Sequence, residues 1–595
     1  MESISFDFVI VGGGLAGLVL AARLSEDSDI SVLVLEAGDD QTADPRVNVP
    51  GMWSSLVKSE AAFDFKTVPQ KELGGREIWF PQGRMIGGSS ALNGLNFVPT
   101  SKVNVDAWEA LGNPGWGWES FSESVKKSYS LPQQDKTGGP IQLFAPEEET
   151  EWPRIWRETL TTLGFSVTDD VFSGQLSGGM VILDTVQPAT KQRSYVGNAY
   201  LEPARSRSNL TIWTKASAEK ILFDKSNGTP VVTGVQVQKD DKTQIVKARK
   251  EVIISAGAIN SPKILELSGI GDSKLLKSLG IDVVVDNPHV GENLQNHPLA
   301  VLNFEVRDYL PAGLETLDKL IRQEPDAIAA VTEAYSKQKG PLARSGTNSA
   351  AQLPLSDDAQ QDLRTFLLHN AGLGAPDTAT PAFAKAHEEF VRSAVFGSSP
   401  SACYIGVPGF GAIKSDGTGA PPPEGKGKYF TVVVLLAHPL SHGSVHITSS
   451  NTDAGLAIDP RYFTHPLDIE VLARHVQFVV SGLARAEPLA GLLKPQSSSS
   501  PYAPKGTDIE AVKSYIREKG AAAHHYTGSC AMMPRAMGGV VDHELKVYGC
   551  RNLRVCDASA IPIVTRSNPQ ASVYGLAEHA VGIIRRGLKA GVSGS

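Results

Sequence analysis

The chain opens on an apolar run, FDFVIV, that breaks at Gly12 into a glycine-rich turn and resumes as LAGLVLAARL with helical spacing. This change of period predicts a buried strand over 6–11, a turn, and a helix running through Leu24. A second apolar run, ISVLVLEAG, predicts a strand over 30–38 with Glu36 near its end. Short apolar runs separated by polar turns follow in NLTIWTKASAEKILF and TPVVTGVQVQK, and EVIIS then leads into the glycine turn and helix of AGAINSPKILELSGIG.

Beyond this region the pattern changes. IDVVVD predicts a strand and GENLQNHP a shaped loop, whereas residues 304–339 carry charged helical stretches suited to a cover, which places a domain transition near residue 300. TVVVLLAHPL and SVHIT are strand candidates. PPPEGKGK and SSSSPYAPKG, from Pro421 and Ser497, have turn and linker composition. LDIEVLARHVQFVVSGLAR and DIEAVKSYIREKG alternate apolar and charged faces as surface helices do. DAWEALGNPGWGWESFSESVKK predicts a helix after Gly117, with its tryptophans used for packing.

The opening glycines have separate tasks. Gly12 permits the tight turn, Gly14 removes a side chain that would block a pyrophosphate, and Gly17 lets the helix approach the strand. Glu36 stands where a carboxylate accepts hydrogen bonds from an adenosine ribose, which disfavours a 2′-phosphate. Strand, glycines, helix, second strand and acid together point to a dinucleotide, FAD and NAD both remaining open. A second glycine-rich stretch, GRMIGGSSALNGLNF, could approach a large ligand through its backbone.

Composition narrows the classes. The 595 residues require several structural units, and 41% hydrophobic with 20% charged residues is a globular balance. The 56 Lys plus Arg against 64 Asp plus Glu leave a net charge of −8, which offers no positive field for nucleic acid. The cysteines Cys403, Cys530, Cys550 and Cys556 form neither a dense disulfide framework nor a repeated metal-ligand spacing. His438, His442, His446, His465 and His475 lack compact ligand spacing, so no metal is assigned. Glu2 and Asp7 precede the first apolar run and no basic region does, which argues against a signal peptide or spanning helix and favours a cytoplasmic location. The sequons at Asn209 and Asn227 are within chance expectation.

FVIVGGGLAG, GRMIGGSSALN, GAINSPKILELSGIG and the terminal GCRNLRVCDASAIPIVTRSNPQASVYGLAE together resemble the glucose-methanol-choline, or GMC, flavoprotein oxidoreductases, over nearly the whole chain. The resemblance turns the dinucleotide into FAD. It implies an α/β fold in which a Rossmann-like FAD-binding domain (1–160, 195–300 and 515–595) is interleaved with a smaller α+β substrate or cap domain (161–194 and 301–514) containing an antiparallel sheet. The cofactor contacts it implies are Gly12, Gly14, Gly17, Glu36, Gly88, Ser89, Asn93, Asn96, Ala218 and Asp557. Relatives that attach flavin covalently use a histidine immediately before the asparagine of the second glycine stretch. Here Leu92 precedes Asn93, so noncovalent FAD is expected.

In AAAHHYTGSCAMMP, His525 matches the family's catalytic histidine, with His524 as a structural or electrostatic neighbour. Asn568 in TRSNPQASVYG falls where some members have a second histidine and others an asparagine. The pair implies that His525 takes a hydroxyl proton while Asn568 orients the alcohol and a hydride passes to flavin N5. The expected donor is a small or medium, possibly aromatic, alcohol, and the electron acceptor oxygen, a quinone or another external molecule. Alternatives are a sugar or polyol dehydrogenase, a biosynthetic oxidoreductase coupling oxidation to cyclisation or elimination, and a nonenzymatic flavin-binding module. Trp53, Phe97, Phe410 and Phe430 could shape an apolar pocket, with packing the expected role for each. Oligomeric state is not readable.

Overall fold

A computed structural model describes residues 4–131, 138–146, 150–226, 228–311, 313–370, 379–495 and 502–593, with side chains through 589. Asn227 and residues 497–501 of the serine-rich linker lie outside the described residues.

Two sheets organise the chain. The first runs Leu210–Trp213, Val32–Leu35, Ser5–Val11, Lys242–Ile254 in parallel register, and Leu553–Val555 joins the far side of Lys242–Ile254, again parallel. Lys242–Ile254 is long enough to serve two partners. Its final residues pair with Leu553–Val555, and its first half pairs antiparallel with Val231–Lys239, which in turn pairs with Ala216–Asp224. Phe8, Val9 and Ile10 are fully buried, as expected of a strand covered on both faces. The helices Leu15–Leu24 and Gln570–Ser593 pack against each other. The strand expected over 30–38 is regular only over Val32–Leu35, although Glu36 just beyond it still bonds the Trp213 carbonyl and the Ala216 amide.

The second sheet is antiparallel throughout, in the order Ala521–Ala522, Pro298–Glu305, Tyr429–Leu436, Ala402–Val407, Ser349–Leu353, Gly178–Val181. Trp156 and Phe430 fill its core, and the amphipathic helices Pro466–Ser481 and Ile509–Lys519 cover it. Of IDVVVD only Val285–Asp286 pairs, with Ile270–Gly271. The cover over 304–339 contains the helices Asp318–Ile321 and Pro325–Ser336.

The parallel strands end together. Gly12 donates to the Leu35 carbonyl, Ser255 to the Val11 carbonyl and Cys556 to the Ile254 carbonyl, so four strand ends open onto one crevice. The Asn209 amide is consumed by the carbonyls of Ser25, Asp27 and Ile30. Among the described residues, no helix is long and apolar enough to cross a membrane.

Candidate active site

At the crevice the glycines separate by task. Gly12 has φ +111°, and a Cβ there would stand 2.4 Å from the Ser255 carbonyl oxygen. A Cβ on Gly17 would stand 2.0 Å from the Gly12 carbonyl oxygen. Around Gly14 the nearest protein atom to such a Cβ is Gly88 Cα at 3.9 Å, so the space there is left for something other than protein. Gly87 N–H donates to the Gly13 carbonyl at 2.8 Å, and a Cβ on Gly88 would come within 2.8 Å of Gly14 Cα, so the two glycine turns lie against each other.

Glu36 is buried, and burial pushes its carboxyl up to about 7 against hydrogen bonds from Gly38 and Gly13, each 2.8 Å long. Each oxygen keeps a lone pair for a ribose hydroxyl. Ser89 is exposed while its neighbours Gly88 and Ser90 are buried; its Oγ accepts from Gly83 N–H and keeps its own proton to donate. Open space over Gly14, an outward hydroxyl at Ser89 and spare acceptors on Glu36 fit the phosphates and ribose of FAD.

Other cofactor positions have side chains turned toward protein. Asn93 bonds Gln570 and accepts from Arg193 at 2.8 Å, and Asn96 accepts from Thr347 at 2.7 Å. Asp557 accepts from Gly257, Ser261 and both the amide and hydroxyl of Ser559, which clasps two strand ends together. Ala218 pairs with Val237 just after Ala216 bonds the Glu36 carbonyl. The side chains of Asn93 and Asp557 brace the crevice, and Ala218 can offer a cofactor only its backbone.

His525 and Asn568 come together: Asn568 Nδ2 lies 3.1 Å from His525 Nε2. Two loops make this possible. Gln295 and Thr527 exchange backbone hydrogen bonds, Ala523 donates to the His297 carbonyl, and Asn296 Oδ1 accepts from His525 N–H at 2.7 Å. Gln295 also accepts from Val564 N–H and donates to the Pro562 carbonyl, tying in the segment that carries Asn568.

His297 was not legible as a site residue. Its Nδ1 lies 2.8 Å from His525 Nδ1, so one of the two must donate. Asn568 Nδ2 can only donate, so His525 Nε2 accepts and neutral His525 carries its proton on Nδ1; His297 Nε2, at the far end of the pair, is buried without a hydrogen-bond partner. That nitrogen therefore carries the proton, His297 Nδ1 accepts, and His525 donates from Nδ1. His525 Nε2 thus presents its lone pair to the Asn568 amide N–H. Burial first, then the neighbouring His297 and His524, hold His525 well below the usual histidine range, so it is neutral at neutral pH.

The remaining candidates have other work. His524 has φ +60° and its Nδ1 meets Tyr526 Oη at 2.8 Å. His442 bonds His387, and His475 bridges Ser401 and Tyr404. His465 caps the helix Pro466–Ser481 and His438 packs at the edge of Phe390. Burial alone would lower His446, but hydrogen bonds to Glu266 and Glu292 carry it up to about 9. Among the described residues no three His, Cys, Asp or Glu converge as a metal site. Cys530 is buried, and burial pushes its thiol well above the ordinary value. Phe97 packs on Tyr129 and Phe172, Phe410 on Tyr429 and Tyr502, and Phe430 on Trp152, while Trp53 lies half-buried in the turn Pro50–Leu56. The cavity beside Asn568 has Tyr404 as the one aromatic among its described lining residues.

The GMC oxidoreductase N-terminal family domain matches residues 6–299 and the C-terminal domain residues 439–577. The chain is a GMC oxidoreductase. It is 33% identical to the GMC oxidoreductase family protein Mala s 12 of Malassezia sympodialis, over 98% of this chain and 93% of that one. It is also 33% identical to dehydrogenase citC of Monascus ruber, over 98% and 96%. Among solved structures, a variant of Aspergillus oryzae formate oxidase superposes with a TM-score of 0.86 at 28% identity, covering 99% of this GMC oxidoreductase and 100% of the other chain. GMC oxidoreductases bind FAD, as does the formate oxidase neighbour, consistent with the crevice.

Proposed function

We propose that this GMC oxidoreductase oxidises a small or medium primary or secondary alcohol to an aldehyde or ketone. The observation that carries the reading is the chain His297–His525–Asn568, which presents one unprotonated nitrogen, His525 Nε2, beside an amide donor. An alcohol bound there gives its hydroxyl proton to His525 Nε2 as its oxygen accepts from Asn568 Nδ2–H. Bound FAD would supply the two-electron acceptor for the hydride leaving the carbinol carbon. His525 then holds the proton as imidazolium next to the forming carbonyl, still donating from Nδ1 to His297. Asn568 precedes Pro569, whose ring disfavours helical backbone at Asn568 and so starts the helix at Gln570.

Leu92 offers no heteroatom for a flavin link, which supports a noncovalent cofactor that acid precipitation releases into the supernatant. Oxygen or a quinone-like molecule then regenerates the oxidised cofactor. The test is an anaerobic alcohol panel followed through the flavin spectrum, with product mass analysis and then admission of oxygen or quinone. Bleaching by alcohols with matching carbonyl products is expected, and no bleaching across the panel would overturn the reading.

A further inference from the structure

Arg566 stands two residues before Asn568 and is only 4% exposed. Its Nη2 donates to the Leu176 carbonyl at 2.7 Å, whereas its Nε–H is buried without an acceptor. The side chain lines a narrow, partly open cleft, shared with His297, Asn568, Gln352, Cys403 and Tyr404. No Asp or Glu is among the described lining residues, and no carboxylate pairs with Arg566 among them.

Among the described residues the guanidinium is thus a cation with no paired carboxylate. Burial lowers Arg566 to about 10, which leaves it protonated at neutral pH, and burial pushes the neighbouring Cys403 thiol up to about 11, which leaves that neutral. His438, in the same field, is held well below the usual histidine range, first by burial and then by Arg566. A buried charge with no partner is strongly unfavourable, and guanidinium geometry matches a carboxylate. A second orphan, Gln352 Oε1, lies in the same cavity, its Nε2 being bonded to Ser567. Turning that amide over would offer Nε2–H to an anion and let Ser567 donate to Oε1.

The charge faces the antiparallel sheet. Leu176 leads into Gly178–Val181 and Cys403 belongs to Ala402–Val407, whereas the glycine turns close the ends of the parallel strands. We propose that Arg566 binds a carboxylate on the alcohol donor, so that the substrate class is a hydroxy acid. This rests on the alcohol-oxidation reading only for the other end of the molecule.

The test uses the FAD-loaded enzyme and matched pairs: glycolate against ethanol, and 4-(hydroxymethyl)benzoate against 4-methylbenzyl alcohol. Anaerobic flavin reduction gives the rate, and calorimetric binding of glycolate and of 4-methylbenzoate reads the anion site without turnover. At least one carboxylated alcohol is expected to reduce the flavin tenfold or more efficiently than its neutral partner. Arg566→Gln should remove that preference and the binding heat while sparing the neutral alcohol, and Arg566→Lys should retain part of both. Equal efficiency within both pairs, with no binding of either carboxylate, would overturn the proposal. So would Arg566→Gln slowing charged and neutral alcohols alike with a shifted flavin potential, which would put the guanidinium on the cofactor. If no alcohol reduces the flavin but Arg566-dependent carboxylate binding is found, the anion site stands and the alcohol reading falls.

Discussion

Replacing His297 with Phe removes the acceptor that holds the proton on Nδ1 of His525. The two rings are edge to face with centroids 5.0 Å apart, so an apolar ring of similar outline can occupy the place without opening the site. What is lost is a 2.8 Å hydrogen bond between buried groups. Leaving a buried donor unsatisfied costs about 1–3 kcal/mol, and the ring escapes this by moving its proton to Nε2, where it can no longer act as base. Converted at 1.36 kcal/mol per decade, flavin reduction slows about 5- to 150-fold. His297 also helps to hold His525 below the usual range, so its removal moves the acid limb of the rate profile up toward 6.5. Stopped-flow anaerobic reduction across pH 5–8 measures both, and His297→Gln, which restores an acceptor, should recover part of the rate. A reduction rate within twofold of wild type and an unmoved acid limb, with FAD still bound, would refute the tautomer argument.

Other outcomes follow from the same geometry. Gly17→Ala should lower folding yield and Tm, since the new Cβ meets the Gly12 carbonyl at 2.0 Å; Gly14→Ala should leave the cofactor-free Tm unchanged but weaken FAD binding about tenfold or more, read by flavin titration. Buried histidines with lowered pKa values, His297 and His524 at about 4 and His442 and His475 at about 3, bind fewer protons folded than unfolded, so their contribution is present above 6.5 and lost as pH falls toward those values. Each can withdraw up to about 1.4 kcal/mol by pH 5.5, and Glu36, raised to about 7, opposes them only in part, so Tm should drop between pH 7 and 5.5 with proton uptake on unfolding. A flat Tm over that window would contradict it.

The opening strand, glycine turn and helix were legible because strand period, helix period and glycine geometry coincide in one short stretch; Gly12 and Gly17 have the close backbone neighbours that exclude a Cβ, and Gly14 faces open space. His525 and Asn568 were legible through resemblance, and their 3.1 Å contact follows from loop pairings that no local pattern reveals. His297 sat in GENLQNHP, read only as a shaped loop, because its meaning depends on a partner 228 residues away. Arg566 was invisible for the opposite reason: an arginine reads as a surface cation until burial without a carboxylate is seen. Asn93, Asn96 and Asp557 read as cofactor contacts whose backbone could matter more than their side chains; their hydrogen bonds to arginine, threonine, serine and backbone groups depend on distant segments that no local pattern reveals.

His525→Ala under anaerobic conditions tests the central claim most directly. With FAD retained, alcohol-dependent flavin reduction should fall about 10²- to 10⁴-fold, the range that loss of a positioned base produces. Reduction at the wild-type rate by the same alcohol would contradict the assignment of His525 as the proton acceptor.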